Sequence, residues 1–164
     1  MILRYFHTVR YLKPRQVYGR IFFRFIKPHI YKKKAPLIRC FSNFFQLPII
    51  KPQSLFNKKT FFFLNKSGSL SLLGWDNKTN KVSKLWRYNQ HYFDDLNAIN
   101  AAQRNKWHKS LLNSWIDDNP VGIGVGWESY PTSLRIVNWI KFHYSGNILN
   151  DKCLQNLATQ TRWL

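Results

Sequence analysis

Two segments of this chain gather side chains able to bind polar ligands or move protons. The first, LWRYNQHYFDD over 85–95, brings Trp86, Arg87, Asn89, His91 and Tyr92 close together. The second, GIGVGWESYPTSLRIVN over 122–138, sets Trp127, Glu128 and Tyr130 directly after a glycine-rich loop, with Arg135 and Asn138 beyond them. Amides, guanidinium groups and imidazoles bind hydroxyls or carboxylates, and the interleaved rings can stack on a sugar face. Alone, His91 reads as a structural histidine; beside Asn89, Arg87 and Trp86, and with a second such cluster downstream, a site role is an equal reading. Glu128 is the only glutamate in the chain. It can be a general base, an acceptor for N–H groups at a helix N-terminus, or an ion-pair partner of Arg135. Asp94 and Asp95 read as first-turn helix charges, and Asp117 and Asp118 as turn residues.

The elements that must hold these groups are mostly helical. Gly122, Gly124 and Gly126 permit positive φ or close approach, and Pro131 fixes φ in a first helical turn, with Ser129 or Thr132 available to cap. A helix over about 132–144 follows, with Ile136, Val137, Ile140 and Tyr144 expected on its apolar face. Phe93, Leu96 and Ile99 predict a helix over about 92–104. Trp107, Leu111, Leu112, Trp115 and Ile116 predict another, ended by the Asp117–Pro120 turn. A last helix from about 150 carries Leu154, Leu157, Ala158, Thr161 and Leu164 in register, and the short connections argue for antiparallel pairing. This stripe runs to Leu164 without a stop signal, so the pattern predicts a chain that continues.

The front of the chain differs in character. Residues 2–13 and 14–28 read as two helices, the second with Val17, Ile21, Phe22, Phe25 and Ile26 at helical intervals beside Arg15, Arg20 and Arg24. Such a basic amphipathic helix docks on a larger protein or lies on a membrane surface or an RNA. From 31 to 83 the pattern is poor and reads as an extended arm, with Phe61–Leu64 and Ser69–Leu73 forming a hairpin about Asn65–Gly68.

Among 164 residues there are 26 Lys or Arg against 7 Asp or Glu, a formal net charge of +19, and no acidic residue precedes Asp76. That imbalance calls for polyanionic surroundings: nucleic acid, a lipid surface or an acidic polysaccharide. Cys40 and Cys153 fit neither a metal-ligand spacing nor a disulfide framework and read as free thiols; no metal or cofactor is expected. Arg4, His7 and Arg10 interrupt any signal-peptide core or membrane span at the N-terminus. No RNP, helix-turn-helix, KH or zinc pattern speaks for nucleic acid.

LWRYNQHYFDDL followed by GWESYPTSLRIVNWI resembles the N-terminal domain of the heparinase II/III family. The opening HTVRYLKPRQVYGRI and the stretch from FFFLN to GW are similar to its bacterial surface-polysaccharide branch, so the resemblance spans essentially the whole chain. It implies the start of an incomplete (α/α) toroid, with a C-terminal β-sandwich domain lying beyond this sequence. The implied reaction is β-elimination, in which a uronic acid within an acidic polysaccharide loses its C5 proton. The family's catalytic Asn, Tyr and His fall beyond this chain; Asn147 is followed by Ile148 rather than His, and His91 and Tyr130 do not match the catalytic positions. What the resemblance places here is one wall of a substrate cleft, built from Asn89, His91, Trp127, Glu128, Tyr130 and Arg135. Trp127 would stack, Arg135 and Asn89 would pair with carboxylate or sulfate, and Glu128 would orient Arg135 or a sugar hydroxyl. The implied partners are an acidic polysaccharide and the C-terminal remainder of the protein; the compartment is the periplasm or cell envelope by resemblance, and the cytoplasm if the missing signal peptide is taken at face value. The alternative is a non-catalytic protein that binds a polyanion, whether glycan or nucleic acid.

Overall fold

The computed structural model describes residues 10–26, 29–39, 51–76 and 81–164. The fold is mainly helical, with one small three-stranded antiparallel sheet. Most of the expected helix over 2–13, the end of the next at 27–28, and Cys40 lie outside the described residues. Helix α1 spans Pro14–Phe25, its first turn started by the proline. None of its described side chains is buried.

The sheet comprises β1 (Leu55–Asn57), β2 (Thr60–Phe63) and β3 (Lys66–Ser69), in that order. β2 and β3 pair from Thr60↔Ser69 to Phe63↔Lys66. The hairpin is tighter and earlier than expected, because Leu64 (φ 52) and Asn65 (φ 59) both take the left-handed conformation and close a two-residue turn. Leu70–Leu73, expected as strand, is instead a single helical turn, α2. Gly68 permits that packing: a Cβ there would stand 2.6 Å from both Leu73 Cδ1 and the Trp86 ring. Leu55, Phe61, Leu70, Leu73 and Trp75 join the same core as the helices, so residues 51–76 pack on the helical half of their own chain.

α3 (Lys84–Tyr92) begins where Ser83 accepts a hydrogen bond from the Trp86 N–H, 3.2 Å. It ends because Phe93 turns left-handed (φ 59), and two 3₁₀ turns over 94–97 and 101–104 replace the expected helix over 92–104. A phenylalanine in that region is strained by about 1–2 kcal/mol. The ring offsets this by stacking on Trp75 (5.8 Å) and meeting Trp115 and Trp139 edge-on. Asp95, read from sequence as a helix-start charge, fastens the sheet to this segment. One oxygen accepts the Ser54 and Leu55 N–H groups at 2.7 and 3.0 Å, and the other accepts Arg104 Nε at 2.8 Å and lies 2.7 Å from His108 Nε2. Burial pushes its carboxyl up, but His108, Arg104 and the two amides prevail and hold it down at about 2.

α4 (Asn105–Asp118), α5 (Ser129–Tyr144) and α6 (Asp151–Trp163) carry the rest. α5 starts three residues before its expected beginning, with Glu128 at the N-cap position. Its buried face is Thr132, Arg135, Ile136, Asn138, Trp139 and Phe142, while Val137 and Ile140 stay exposed, which displaces the expected stripe. α6 is capped by Asn150, which accepts the Cys153 N–H at 2.9 Å, and fully buries Cys153, Asn156, Thr159 and Gln160, while Leu154 and Leu157 are only partly buried against the core. Cys153 is free, with its thiol pushed up to about 11 by burial. Among the described residues no helix is long and apolar enough to cross a membrane.

Candidate functional site

The two polar and aromatic segments do meet, through α3 and α5. They divide into an enclosed set and a surface set. His91, Trp127 and Arg135 form the enclosed set, at 0%, 2% and 0% exposure. His91 Nδ1 accepts the Trp115 indole N–H at 2.9 Å, so the proton sits on Nε2 and is donated to the Trp75 carbonyl at 3.1 Å. Burial, and next the Arg135 charge, drive this imidazole down to about 3. It is a neutral strut with both nitrogens engaged and cannot shuttle protons near neutrality.

Arg135 fills the space between the two segments. Its Nε donates to Gln160 Oε1 (2.9 Å), Nη1 to the Gly126 carbonyl (2.7 Å) and Nη2 to Thr132 Oγ1 (3.3 Å). The guanidinium carbon lies over the Trp115 ring, 3.9 Å from its centroid, and 5.7 Å from that of Trp127. No carboxylate is among its partners, and burial lowers its pKa well below the ordinary arginine value. Gly126 has to be glycine for this packing, since a Cβ would stand 2.7 Å from His91 Nδ1. Trp127 donates its indole N–H to the Asn119 carbonyl at 3.1 Å and packs against Trp115 and the edge of Trp163. The expected stacking of Trp127 on a sugar and pairing of Arg135 with a ligand anion therefore give way to core roles, because both side chains lie out of solvent contact and are fully partnered. Glu128 does not orient Arg135 either.

The surface set is built around Glu128. One of its carboxylate oxygens accepts a short hydrogen bond from the Tyr88 hydroxyl, and the other pairs with Lys84 Nζ at 2.9 Å. Lys84 and Tyr88 are one turn apart on α3, and the ammonium also lies 5.3 Å from the Tyr88 ring centroid. Burial works to raise the Glu128 carboxyl, but Tyr88 and Lys84 outweigh it and the net shift is downward. The same contacts raise Lys84 and Tyr88. A carboxylate so held is a fixed anion and hydrogen-bond acceptor, poorly suited to take a proton from carbon.

Tyr130 completes the patch: 58% exposed, it meets Tyr92 edge-on at 5.7 Å and is tilted 6.2 Å from Tyr88. Tyr92 lies beneath, its phenol pushed up to about 12 by burial first and by Tyr130 and Asp94 next. Asn89 is partly exposed on the same helix, its amide N–H donated to the Leu85 carbonyl at 2.8 Å. Nearby, Asp94 pairs with Lys51 at 2.6 Å and accepts from the Asn138 amide at 2.7 Å. Sequence reasoning missed Lys84 and Tyr88. Their spacing with Tyr92, at 84, 88 and 92, is a helical stripe that becomes visible once α3 is placed at 84–92 rather than beginning at 92.

Two further clefts of about 270 Å³ each lie elsewhere, one beside Trp75, Asp76 and Asp118, the other between residues 35–38 and α6. Among the described residues no cluster of His, Cys, Asp or Glu could hold a metal ion. No protein-family model, no curated protein and no solved structure matches the chain.

Proposed function

We propose that this chain supplies part of the substrate cleft of a polysaccharide lyase-like protein that acts on a uronic-acid-containing acidic polysaccharide by β-elimination. In this reading the helices are the start of an incomplete (α/α) toroid, and the groups that transfer the C5 proton belong to the remainder of the protein. The observation that carries it is the surface patch of exposed Tyr130 and Lys84 with half-buried Tyr88 and Glu128. It offers an open ring face for a pyranose, a fixed carboxylate to accept sugar hydroxyls, and an ammonium to meet a uronate. The enclosed set supports it from below: Arg135 and His91 fix the loop at Gly126 and the α3 backbone, and so hold Glu128 and Tyr130 opposite Tyr88. The positive charge of the chain raises the local concentration of a polyanion without selecting it.

Because Tyr130→Ala leaves net charge unchanged, it separates recognition from simple ion attraction. Affinity electrophoresis in polygalacturonate or alginate should retard the parent chain more than neutral dextran does. The substitution should weaken that retardation by about fivefold to tenfold, the worth of one stacked ring. Equal retardation of parent and variant in the polyuronate would contradict the assignment.

A further inference from the structure

We propose that α1 is a membrane-surface anchor that lays its aromatic stripe into the headgroup region of an anionic bilayer. Among the described residues none buries the apolar face of this helix: Tyr18 is 66% exposed, Ile21 57% and Phe25 81%, and Ile26 just beyond is 49% exposed. At 100° per residue, Val17, Tyr18, Ile21, Phe22 and Phe25 share one face, and Tyr18 and Phe22 stack along it at 5.6 Å. Arg15 falls at one border of that face and Arg20 beyond the other, with Lys13 and Arg10 just ahead of the helix.

Charge decides the occupant. No acidic residue precedes Asp76, so this surface repels cations and other basic surfaces and attracts anionic ones. A soluble polyanion such as RNA or an acidic glycan would use the arginines but leave the stripe in water. An anionic bilayer uses both, because the rings enter the acyl boundary while the flanking arginines stay with the phosphates. Twelve residues make a helix of about 18 Å, too short to span a bilayer of about 30 Å but suited to lie in its plane. An apolar stripe and a basic border are the two signals that reversible anchoring needs. The inference is independent of the tyrosine and glutamate patch, and would bring a surface-bound protein to glycan made or remodelled at the same envelope.

The test is flotation of the full chain with vesicles of phosphatidylcholine alone or mixed equally with phosphatidylglycerol. The parent should bind the anionic vesicles about tenfold more tightly than the neutral ones. Ile21→Asp with Phe25→Asp, and separately Arg15→Glu with Arg20→Glu, should each reduce anionic binding by about tenfold or more. All seven tryptophans lie at 75 or beyond, so their fluorescence verifies that the rest of the fold is intact in each variant. Equal binding to both vesicle types would overturn the inference. So would an aspartate variant that binds as the parent does, since that outcome reduces the contact to charge, as would binding to RNA or heparin that out-competes anionic vesicles at equal phosphate or sulfate.

Discussion

Replacing Arg135 with alanine should cost about 3–5 kcal/mol of folding stability, a large share of what a domain of this size possesses. Three mechanisms add. The Gly126 carbonyl, Gln160 Oε1 and Thr132 Oγ1 lose a donor where no water reaches them. A fully buried side chain leaves a cavity. The cation–π contact with Trp115, at 3.9 Å, disappears. Arg135→Lys should recover little, because an ammonium cannot present the planar fork or stack flat. Arg135→Met should recover more, since it refills volume and removes the cost of a buried cation that no carboxylate neutralises. Urea midpoints at unchanged slope read all three. An alanine variant within about 0.5 kcal/mol of the parent would place Arg135 among surface residues and refute the enclosed arrangement.

A second large effect concerns acid. The His91 imidazole ionises near 6.5 in an unfolded chain and is held down to about 3 in the fold, by burial and then by Arg135. Below 6.5 the unfolded state takes up a proton that the folded state refuses. The contribution is therefore complete above 6.5 and is lost as pH falls toward 3, at about 1.4 kcal/mol per unit and about 5 kcal/mol in all. Asp95 has the same sign but acts later, between 3.8 and about 2. The urea midpoint should therefore slope downward between pH 6 and 4.5, and His91→Gln should flatten that slope whatever it does to stability at pH 7. A slope that persists in the variant would transfer the acid sensitivity to other groups. The His91 Cε1–H resonance should also stay flat over that interval.

Periodicity revealed the long helices because their apolar residues recur over several turns: Trp107 to Ile116 marked the helix found at Asn105–Asp118. It failed where a bulky residue adopts a left-handed backbone. Nothing in the residue type of Leu64 or Phe93 announces positive φ, and both conformations are imposed by tertiary packing or pairing. That is why the hairpin register differs from the expected one and why the helix expected over about 92–104 is instead α3 at 84–92 followed by two 3₁₀ turns, which hid the stripe of Lys84, Tyr88 and Tyr92. The faces of α5 and α6 were misjudged for a related reason. Once Arg135 is buried it needs acceptors, so Thr132 and Gln160 turn inward, with Asn156 accepting from Gln160 at 2.7 Å, and residues such as Ile140 and Leu157 are left nearer the surface. The aromatic density read equally well as core or as platform. Trp86, Trp115 and Trp139 settle as core, and Tyr130 remains open.

The division between a buried support and an open tyrosine face is tested most directly by titrating the isotope-labelled chain with a uronate oligosaccharide and following side-chain and backbone resonances. The account predicts shifts of the Tyr130 and Tyr88 ring signals and of the Asn89 and Glu128 amides, while the Trp127 indole N–H, bonded to Asn119, keeps its position and its slow exchange. A Trp127 indole that shifts strongly while the Tyr130 ring stays unmoved would contradict it.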